Sequence, residues 1–546
     1  MEWIIHIKKH LINRLTYYRY PLIAAFVVYI MQLFIINGKV RSLIDFSAHS
    51  MLYVFSILAI SGIFGYSFYA VFFSFLFQLK KGNRTLLLYT RYFLTYFFIM
   101  LFFLLLVWPG IFKGDEFYVL RGSLSLTFSP AQSGITSLFY IVCILFFPSM
   151  ATITFFQLVF ICMIFSYIMY HLMELYHSRF VWLLLVPALL LPVIDGNLFT
   201  LRSTMVGWLF LALIFDLFFL FQKKKVSLRH LLGLSLICGL IIAWRSEFFY
   251  LILLLPLSLL FWKLIRPKHA FILVFVLIIS FSLWNVPNKI ASAGCNKYPI
   301  SLVLNPLANL FTQDDLKGPC VYDDVMVINE LVDVKLLRQS ASVRNISQYW
   351  NIPDQIPAEQ LSRFMKSSLR IIAYNFDDFL RYRMQTFAYT NGFFPDRINH
   401  PGGEGVDSIN KLIYYGSDYK ELFAFSHPLL SQRAREKTIS LLACRVYKAE
   451  TIHTNALLPV FYNCVPPFIL LFAVFIISCF KKKKEFATLS LITGLQIILI
   501  FLTAPAMFFM YYFCFYLCSY ALVALFIIHI LCDTRKTKVG NSSIEE

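Results

Sequence analysis

Long apolar blocks separated by short polar loops make up most of the chain. A helix needs ~20 apolar residues to cross a bilayer. Twelve blocks are predicted to do so, at about 20–37, 51–79, 92–108, 150–173, 180–194, 203–222, 231–243, 248–264, 270–286, 456–480, 485–504 and 506–531. The pattern therefore predicts an all-α polytopic membrane protein with about 12 transmembrane helices, whose partner along most of its length is the lipid bilayer.

Positive charge sets the expected orientation. With these twelve spans, the strongly basic short loops all fall on one side, including Lys80-Lys81, Lys223-Lys224-Lys225 and Lys481 to Lys484. Loops rich in Lys and Arg remain in the cytoplasm, so both termini are expected there.

Only 14% of the 546 residues are charged, against ~25% in soluble proteins. The net charge of +19 is explained by these loops, and no nucleic-acid partner is expected.

One long segment without a spanning block divides the chain into three parts. Residues 1–286 hold about nine spans, 287–455 form a folded external domain or loop, and 456–546 hold three spans and a cytoplasmic tail. Helical patterns around 323–339, 357–374 and 376–390 predict a mostly helical external segment between spans 9 and 10. Cys295 and Cys320 lie in it, either as a disulfide or as free thiols.

The stretch 108–121 carries two adjacent carboxylates, Asp115 and Glu116, just outside the third span. Charge beside hydrocarbon is costly and marks candidate function. The apolar block 135–147 follows, and it is too short to span comfortably. We expect a helix that lies at the external interface or dips part-way into the membrane. The external loop 108–135 is therefore the candidate catalytic loop.

Further charged residues are expected at the same outer face. They are Asp195, Arg202, Arg245 and Glu247, together with Lys113 and Arg121 beside the acid pair. A carboxylate near an acceptor hydroxyl can act as a general base, and Arg binds a leaving phosphate through its forked donors. Plainer interpretations stay open: the acids can cap a helix, the arginines can anchor the interface, and Asp195-Gly196-Asn197 can form a turn.

The order of these features resembles the GT-C superfamily of membrane glycosyltransferases. Trp108-Pro109-Gly110 followed by Asp115 is similar to the aromatic-Pro-Gly opening and acidic loop of bacterial members. The Trp244-Arg245-Ser246-Glu247 junction and the Lys297–Leu302 patch resemble their later elements. Two features depart from the pattern: no His precedes the short helix in the stretch 129–133, and two additional spans come first.

The resemblance implies a GT-C-like fold and an inverting transfer from a polyprenyl-phosphate-linked sugar donor to a cell-envelope glycan or glycolipid acceptor. It assigns the general base to Asp115, with Glu116 as alternate. It assigns donor-phosphate binding to Arg245, and Arg202, Lys113 and Arg121 are added by position. Glu247 and Asp195 are supporting groups. The acid pair could hold Mg²⁺ or Mn²⁺, although a monophosphate donor does not require a metal.

The implied location is the bacterial cytoplasmic membrane, with the active site on its external side. Lipopolysaccharide O-antigen is one fitting product. Two other functions stay open. An O-antigen or capsule polymerase also has about a dozen spans and a large late external loop. A lipid-linked oligosaccharide flippase or transporter would need charge deep inside the bundle.

Overall fold

The computed structural model describes residues 2–112, 114–130, 132–200, 202–224, 226–342, 348–391, 393, 423–448, 451–454 and 457–542. In its first part the helices are α1 Glu2–Leu43, α2 Met51–Lys80, α3 Arg84–Leu106, α4 Gly114–Leu124, α5 Gly134–Phe146, α6 Met150–Tyr176, α7 Leu185–Ala188, α8 Leu191–Leu198, α9 Arg202–Lys223, α10 Leu228–Trp244, α11 Leu251–Phe261, α12 Pro267–Trp284 and α13 Val286–Gly294.

The remaining helices are α14 Ser301–Leu310, α15 Val321–Asn329, α16 Val334–Gln339, α17 Ala358–Tyr374, α18 Phe376–Thr390, α19 Gln432–Leu442, α20 Leu458–Phe461, α21 Val465–Phe480, α22 Lys484–Thr503 and α23 Phe513–Ser542. Short 3-10 helices lie at Arg179–Leu184, Ser246–Phe248, Tyr298–Ile300, Tyr349–Asn351 and Phe509–Tyr511. Strands β1 Arg445–Lys448 and β2 Thr451–Thr454 pair antiparallel, with Arg445 opposite Thr454.

The chain is a polytopic helical membrane protein. Among the described residues, nine helices are long and apolar enough to cross a membrane, and the bent pair Arg179–Ala188 and Leu191–Leu198 can add a tenth. The expected count of twelve is not reached because blocks 180–194, 231–243 and 248–264 form that bent pair and two shorter apolar helices. The two shorter helices have 10 to 17 residues, fewer than the ~20 of a straight span, and the pair is bent by 67° at its break.

Burial ranks the spans by their place in the bundle. The most apolar window of α9 is 89% buried, whereas the windows of α1, α2 and α3 are each 17% buried. A helix that is apolar all round and buried belongs in the centre. Accordingly α9 is the central helix, packed against α6, α10, α22 and α23, and the first three spans lie at the rim.

The short helix α5 lies inside the protein. Ten of its residues, from Gly134 to Leu145, are buried, and it packs against α2, α4, α6 and α13. Its position differs from a helix lying on the interface, although its 13 residues remain too few to span. A surface helix would show one polar face. The apolar side chains of α5 surround the whole helix, and this composition suits a buried element.

The segment after α13 has a core of its own. Residues from Ile300 to Ile371 form a second cluster of buried side chains, separate from the core of the bundle. The three helical patterns expected here are confirmed as α15 with α16, α17 and α18. Cys295 and Cys320 are both free thiols. The described residues in this segment are 287–342, 348–391, 393, 423–448 and 451–454.

Side-chain contacts join the helix ends into two opposite groups. At one, Trp244 bonds Thr136, Arg202 bonds Tyr298, and Arg383 bonds the carbonyl of Ala504. We name this the acid-pair end, because α4 lies there. At the other, the lysine end, contacts join Tyr176 with His529, Asp216 with His230, and Lys483 with Asp533. The described residues of the segment 287–455 pack on the acid-pair end.

Candidate active site

The loop between α3 and α4 places the acid pair. Pro109 cannot continue the helix that ends at Leu106, because it has no N–H to donate. Gly110 has φ +128°, and a Cβ there would lie 2.2 Å from Thr154 Oγ1. Only glycine meets both conditions. The Ile111 N–H then donates to the Leu198 carbonyl at 3.0 Å, which fixes the loop on the end of α8.

Asp115 and Glu116 lie in the first turn of α4, where the helix dipole favours negative charge. Glu116 is fully buried, whereas Asp115 is partly exposed. The Gln132 Nε2 donates to Asp115 Oδ2 at 2.6 Å. Both acids also interact electrostatically with Tyr140 of α5. The pair is therefore held against α5, with Glu116 buried and Asp115 partly accessible, and does not form a solvated loop.

The cations form a second cluster at the same end. Arg245 makes an ion pair with Glu247, and their side chains are 5% and 16% exposed. Arg202 Nη2 donates to the hydroxyl of Tyr298 at 2.9 Å and interacts electrostatically with Glu247. Arg202 and Arg245 therefore both interact with the carboxylate of Glu247. Two guanidinium groups with a single carboxylate among them leave the cluster net positive, as an anion site requires.

Helix α5 links the two clusters. From the acid side, Gln132 bonds Asp115, and its carbonyl accepts from Thr136 Oγ1 at 2.7 Å. From the cation side, Trp244 Nε1 donates to Thr136 Oγ1 at 2.9 Å, and Arg245 is the next residue. Gln132, Thr136 and Trp244 thus form a chain of hydrogen bonds across one turn of α5, which leads from Asp115 to the residue before Arg245.

A second contact supports this link on the side of Arg202. The hydroxyl of Tyr140 lies 2.6 Å from Thr200 Oγ1, two residues before Arg202. Tyr140 is therefore placed between the acids and the start of α9. Asp115 and Glu116 therefore lie at the same end of the bundle as Arg202, Arg245 and Glu247, and their convergence on one cavity stays a prediction.

Two other expected residues, Arg121 and Asp195, do not join the site in the same way. Arg121 is exposed in the last turn of α4 and lies about 140° around the helix from Glu116, at ~100° per residue. Lys113 lies outside the described residues. Asp195 is buried within α8, near Cys444.

The stretch Asp195-Gly196-Asn197 is helical, so the prediction of a turn there was wrong. Asn197 explains the difference. Its side chain donates to the hydroxyl of Tyr96 at 2.9 Å and accepts from Trp208 Nε1 at 2.7 Å, and its carbonyl accepts from Gln157. These tertiary bonds satisfy the polar groups inside the bundle, where no turn could be solvated.

The rim next to Arg202 belongs to the external segment. Lys297 is buried and donates to Asp354 at 2.9 Å and to the carbonyl of Ile352 at 2.8 Å. This hydrogen bond from Lys297 lowers the pKa of Asp354. Tyr118, exposed on α4 three residues after Asp115, interacts with Lys297 and Asp354, and partial burial raises its pKa. The external segment therefore closes one side of the site.

Several site residues were missed by sequence reasoning. Gln132, Thr136, Tyr140 and Thr200 are uncharged and carry no spacing signal. Tyr298 lay inside a patch noted only for its resemblance. Hydroxyl and amide side chains become recognisable as site residues only when packing shows what they bond.

The binding of a metal ion at this site would depend on two carboxylates, those of Asp115 and Glu116. Among the described residues, no group of three or more His, Cys, Asp or Glu side chains is placed to hold a metal ion. Mg²⁺ accepts few protein ligands when substrate phosphates supply others. Asp115 and Glu116 would be the protein ligands of such an ion, and Glu116 is buried against α5.

Comparisons with known proteins assign the chain to no family. No family model, no curated protein and no solved structure matches it. A functional conclusion therefore depends on the geometry of the site.

Proposed function

We propose that the protein is an inverting membrane glycosyltransferase of GT-C type, acting on a polyprenyl-phosphate-linked sugar. The observation that carries the proposal is that a partly exposed carboxylate and a net-positive arginine cluster lie at the same end of the bundle and are linked through α5. One group accepts a proton and the other stabilises a leaving anion, the two requirements of a displacement at an anomeric carbon.

In the proposed reaction, the acceptor hydroxyl gives its proton to the carboxylate of Asp115 and attacks the anomeric carbon. The new C–O bond forms as the bond to phosphate breaks, and polyprenyl phosphate leaves with the electron pair. Gln132 supports this role because its amide holds Asp115 Oδ2 and so orients the carboxylate toward an acceptor. Attack from the face opposite the phosphate inverts the configuration.

Arg245 and Arg202 are the proposed phosphate ligands. Each presents guanidinium donors suited to phosphate oxygens. The ion pair of Arg245 with Glu247 and the hydrogen bond of Arg202 to Tyr298 hold both side chains in place before the donor binds. Preorganised charge of this kind costs no rearrangement during the reaction. Arg121 is a weaker candidate, because it lies on the exposed side of α4.

A lipid-linked donor fits a site built at the end of a helical bundle. The proposed acceptor is a cell-envelope glycan or glycolipid on the outer face of the bacterial cytoplasmic membrane, with both termini inside. A requirement for Mg²⁺ or Mn²⁺ stays an open part of the proposal. The transporter alternative is less well supported: Asp216, the acidic residue inside α9, is bonded to Tyr167 and His230 at the lysine end.

Mass spectrometry of envelope glycans tests the proposal. A deletion strain should lose one sugar, and the wild-type gene should restore it. Asp115→Asn should reduce restoration at least ~10²-fold at normal membrane levels, because an amide cannot take the proton. Glu116→Gln should retain more activity, since Glu116 is fully buried and cannot reach an acceptor.

Asp45→Asn is the matched control. Asp45 is an exposed carboxylate in the loop between α1 and α2 and bonds Ser47. The change should restore the glycan fully. Full activity of Asp115→Asn would remove the proposed base, and an unchanged glycan profile in the deletion strain would remove the proposed function.

A further inference from the structure

Residues 423–444, late in the external segment, contact the loop that leads from α3 to the acid pair. Trp108 Nε1 donates to the carbonyl of Phe425 at 2.6 Å, and the ring of Phe425 stacks on Phe147 at 6.0 Å. The Ala424 N–H donates to the carbonyl of Pro148 at 3.2 Å. This short stretch of chain therefore touches both ends of the region 108–148 that holds the acids and α5.

Arg435 of α19 makes the deepest of these contacts. Its Nε donates to the Val107 carbonyl at 3.2 Å, and its Nη2 donates to the Gly110 carbonyl at 2.8 Å. The side chain is 4% exposed. Burial lowers the pKa of Arg435 to about 10, so the guanidinium is still charged at neutral pH. A buried charge is stable only where hydrogen bonds offset the free energy of its desolvation. Here the two loop carbonyls accept those hydrogen bonds.

The position of these carbonyls connects Arg435 with the acid pair. They flank Trp108-Pro109, and Gly110 precedes Asp115 by five residues. The last carbonyls of a helix lack partners within it and are often capped by a basic side chain. Arg435 adds such a cap at Val107, whose carbonyl also accepts from the Gly110 N–H at 3.0 Å, and it joins the loop that leads to α4 to residues 423–444.

We propose that Arg435 is a positioning residue, which holds the α3–α4 loop and thereby the placement of Asp115 and Glu116. In this proposal, residues 423–444 of the external segment complete the site from outside. Removing the guanidinium leaves the Gly110 carbonyl without this donor and the Val107 carbonyl with the Gly110 N–H alone, so the loop before α4 is held less firmly.

Arg383 provides a matched control elsewhere on the molecule. It also belongs to the external segment, is 1% exposed, and donates to two carbonyls at the end of a spanning helix. Its Nε bonds Phe501 at 2.7 Å and its Nη2 bonds Ala504 at 2.8 Å, at the end of α22. The two arginines share chemistry and burial but cap different helices, so only Arg435 should affect the acid pair.

Hydrogen exchange on the full chain in lipid nanodiscs tests the proposal. Arg435→Gln should speed exchange of amides in 110–124 by about tenfold or more, the effect of losing charge-assisted bonds. Arg383→Gln should speed exchange near 499–504 and leave 110–124 unchanged. Unchanged exchange in 110–124 for Arg435→Gln, or equal acceleration there by both variants, would overturn the proposal.

Arg435→Lys separates positioning from a general loss of fold. The lysine keeps the charge and can bond one carbonyl, so exchange in 110–124 should lie between the wild-type and Arg435→Gln values. If Arg435→Gln unfolds the chain, the exchange rates of the Arg435→Lys protein alone test the proposal. Acceleration confined to 110–124 supports the proposal, and its absence in a folded Arg435→Lys protein overturns it.

The effect on catalysis rests on the proposed function and is measured separately. Restoration of the envelope glycan in the deletion strain should fall for Arg435→Gln, recover in part for Arg435→Lys, and stay normal for Arg383→Lys at equal membrane levels. A deletion strain with unchanged glycans would refute the glycosyltransferase but not the exchange result. Normal restoration by Arg435→Gln would refute the positioning role even if the enzyme is confirmed.

Discussion

At the scale of single residues, neighbours in sequence differ because the fold gives them different surroundings. Asp115 and Glu116 are adjacent and chemically alike, yet one is partly exposed and bonded to Gln132 while the other is fully buried. Arg245 and Arg121 are both basic residues at the acid-pair end, yet one is buried in an ion pair and the other is exposed. Their chemical roles follow from exposure as much as from residue type.

The buried ion pair gives a prediction at this scale. Arg245→Ala should lower the free energy of unfolding by about 3 kcal/mol, because it leaves Glu247 largely buried without its main partner. Replacing the pair together, as Arg245→Met with Glu247→Leu, should recover most of that stability. Thermal unfolding in detergent measures both effects.

Glycan restoration gives the second readout for the same variants. Arg245→Ala and the double variant should both fail to restore the glycan, since neither retains the guanidinium of Arg245. A double variant as unstable as Arg245→Ala would contradict the desolvation argument, and an active double variant would exclude Arg245 from phosphate binding.

At the scale of elements, the site depends on how closely α5 approaches its neighbours. A Cβ on Gly134 would lie 2.2 Å from the Pro287 carbonyl oxygen, which is backbone and cannot move aside easily. Asn288 of α13 fixes this approach: it accepts from the Gly134 N–H at 2.7 Å and donates to the Ala243 carbonyl at 2.6 Å. The start of α5 is therefore tied to the end of α10, one residue before Trp244.

The close approach predicts a strong effect of one methyl group. Gly134→Ala should lower stability by about 1–3 kcal/mol, as overpacking against backbone does. It should also reduce transfer, since it moves α5 away from α13, whose Asn288 ties α5 to the end of α10. Gly494→Ala is the control, because nothing lies within 4 Å of a Cβ there. It should be neutral or slightly stabilising in thermal unfolding. A wild-type melting temperature for Gly134→Ala would contradict the close packing.

At the scale of the whole molecule, the two ends of the bundle differ in composition and contacts. The acid-pair end carries the site and the external segment, and the loop between α1 and α2 reaches it, since His49 lies 2.7 Å from the Ser125 carbonyl oxygen. The lysine end holds the clusters Lys80-Lys81 and Lys481 to Lys484. The contacts agree with the grouping of loops that the charge pattern predicts, while the side of the membrane stays a prediction from the positive-inside rule.

Labelling of introduced cysteines tests this sidedness. A membrane-impermeant maleimide should label Ala48→Cys in intact spheroplasts, because Ala48 is exposed in the loop at the acid-pair end. Lys481→Cys, exposed at the lysine end, should be labelled only after permeabilisation. The wild-type chain gives the background from its native cysteines. The reverse pattern would place the acid pair in the cytoplasm and contradict a donor used outside.

Local sequence patterns are enough to predict the membrane class, nine of the spanning helices and the helical elements of the external segment, and they single out the charged residues that are proposed for the site. All of these follow from apolar length, charge at loop ends and helical periodicity. The same patterns overestimate the number of straight spans. A short apolar block has the same composition whether it crosses the membrane by itself or packs inside the bundle.

How those residues meet is visible only in the folded chain. Folding places α5 between the acids and the arginines, buries Glu116, makes Asp195 part of a helix, and brings Arg435 to the loop before the acid pair. Gln132 and Thr136 are recognised only through the groups they bond. The physical reason is that hydrogen bonds and desolvation act between residues far apart in the chain, and no local pattern records them.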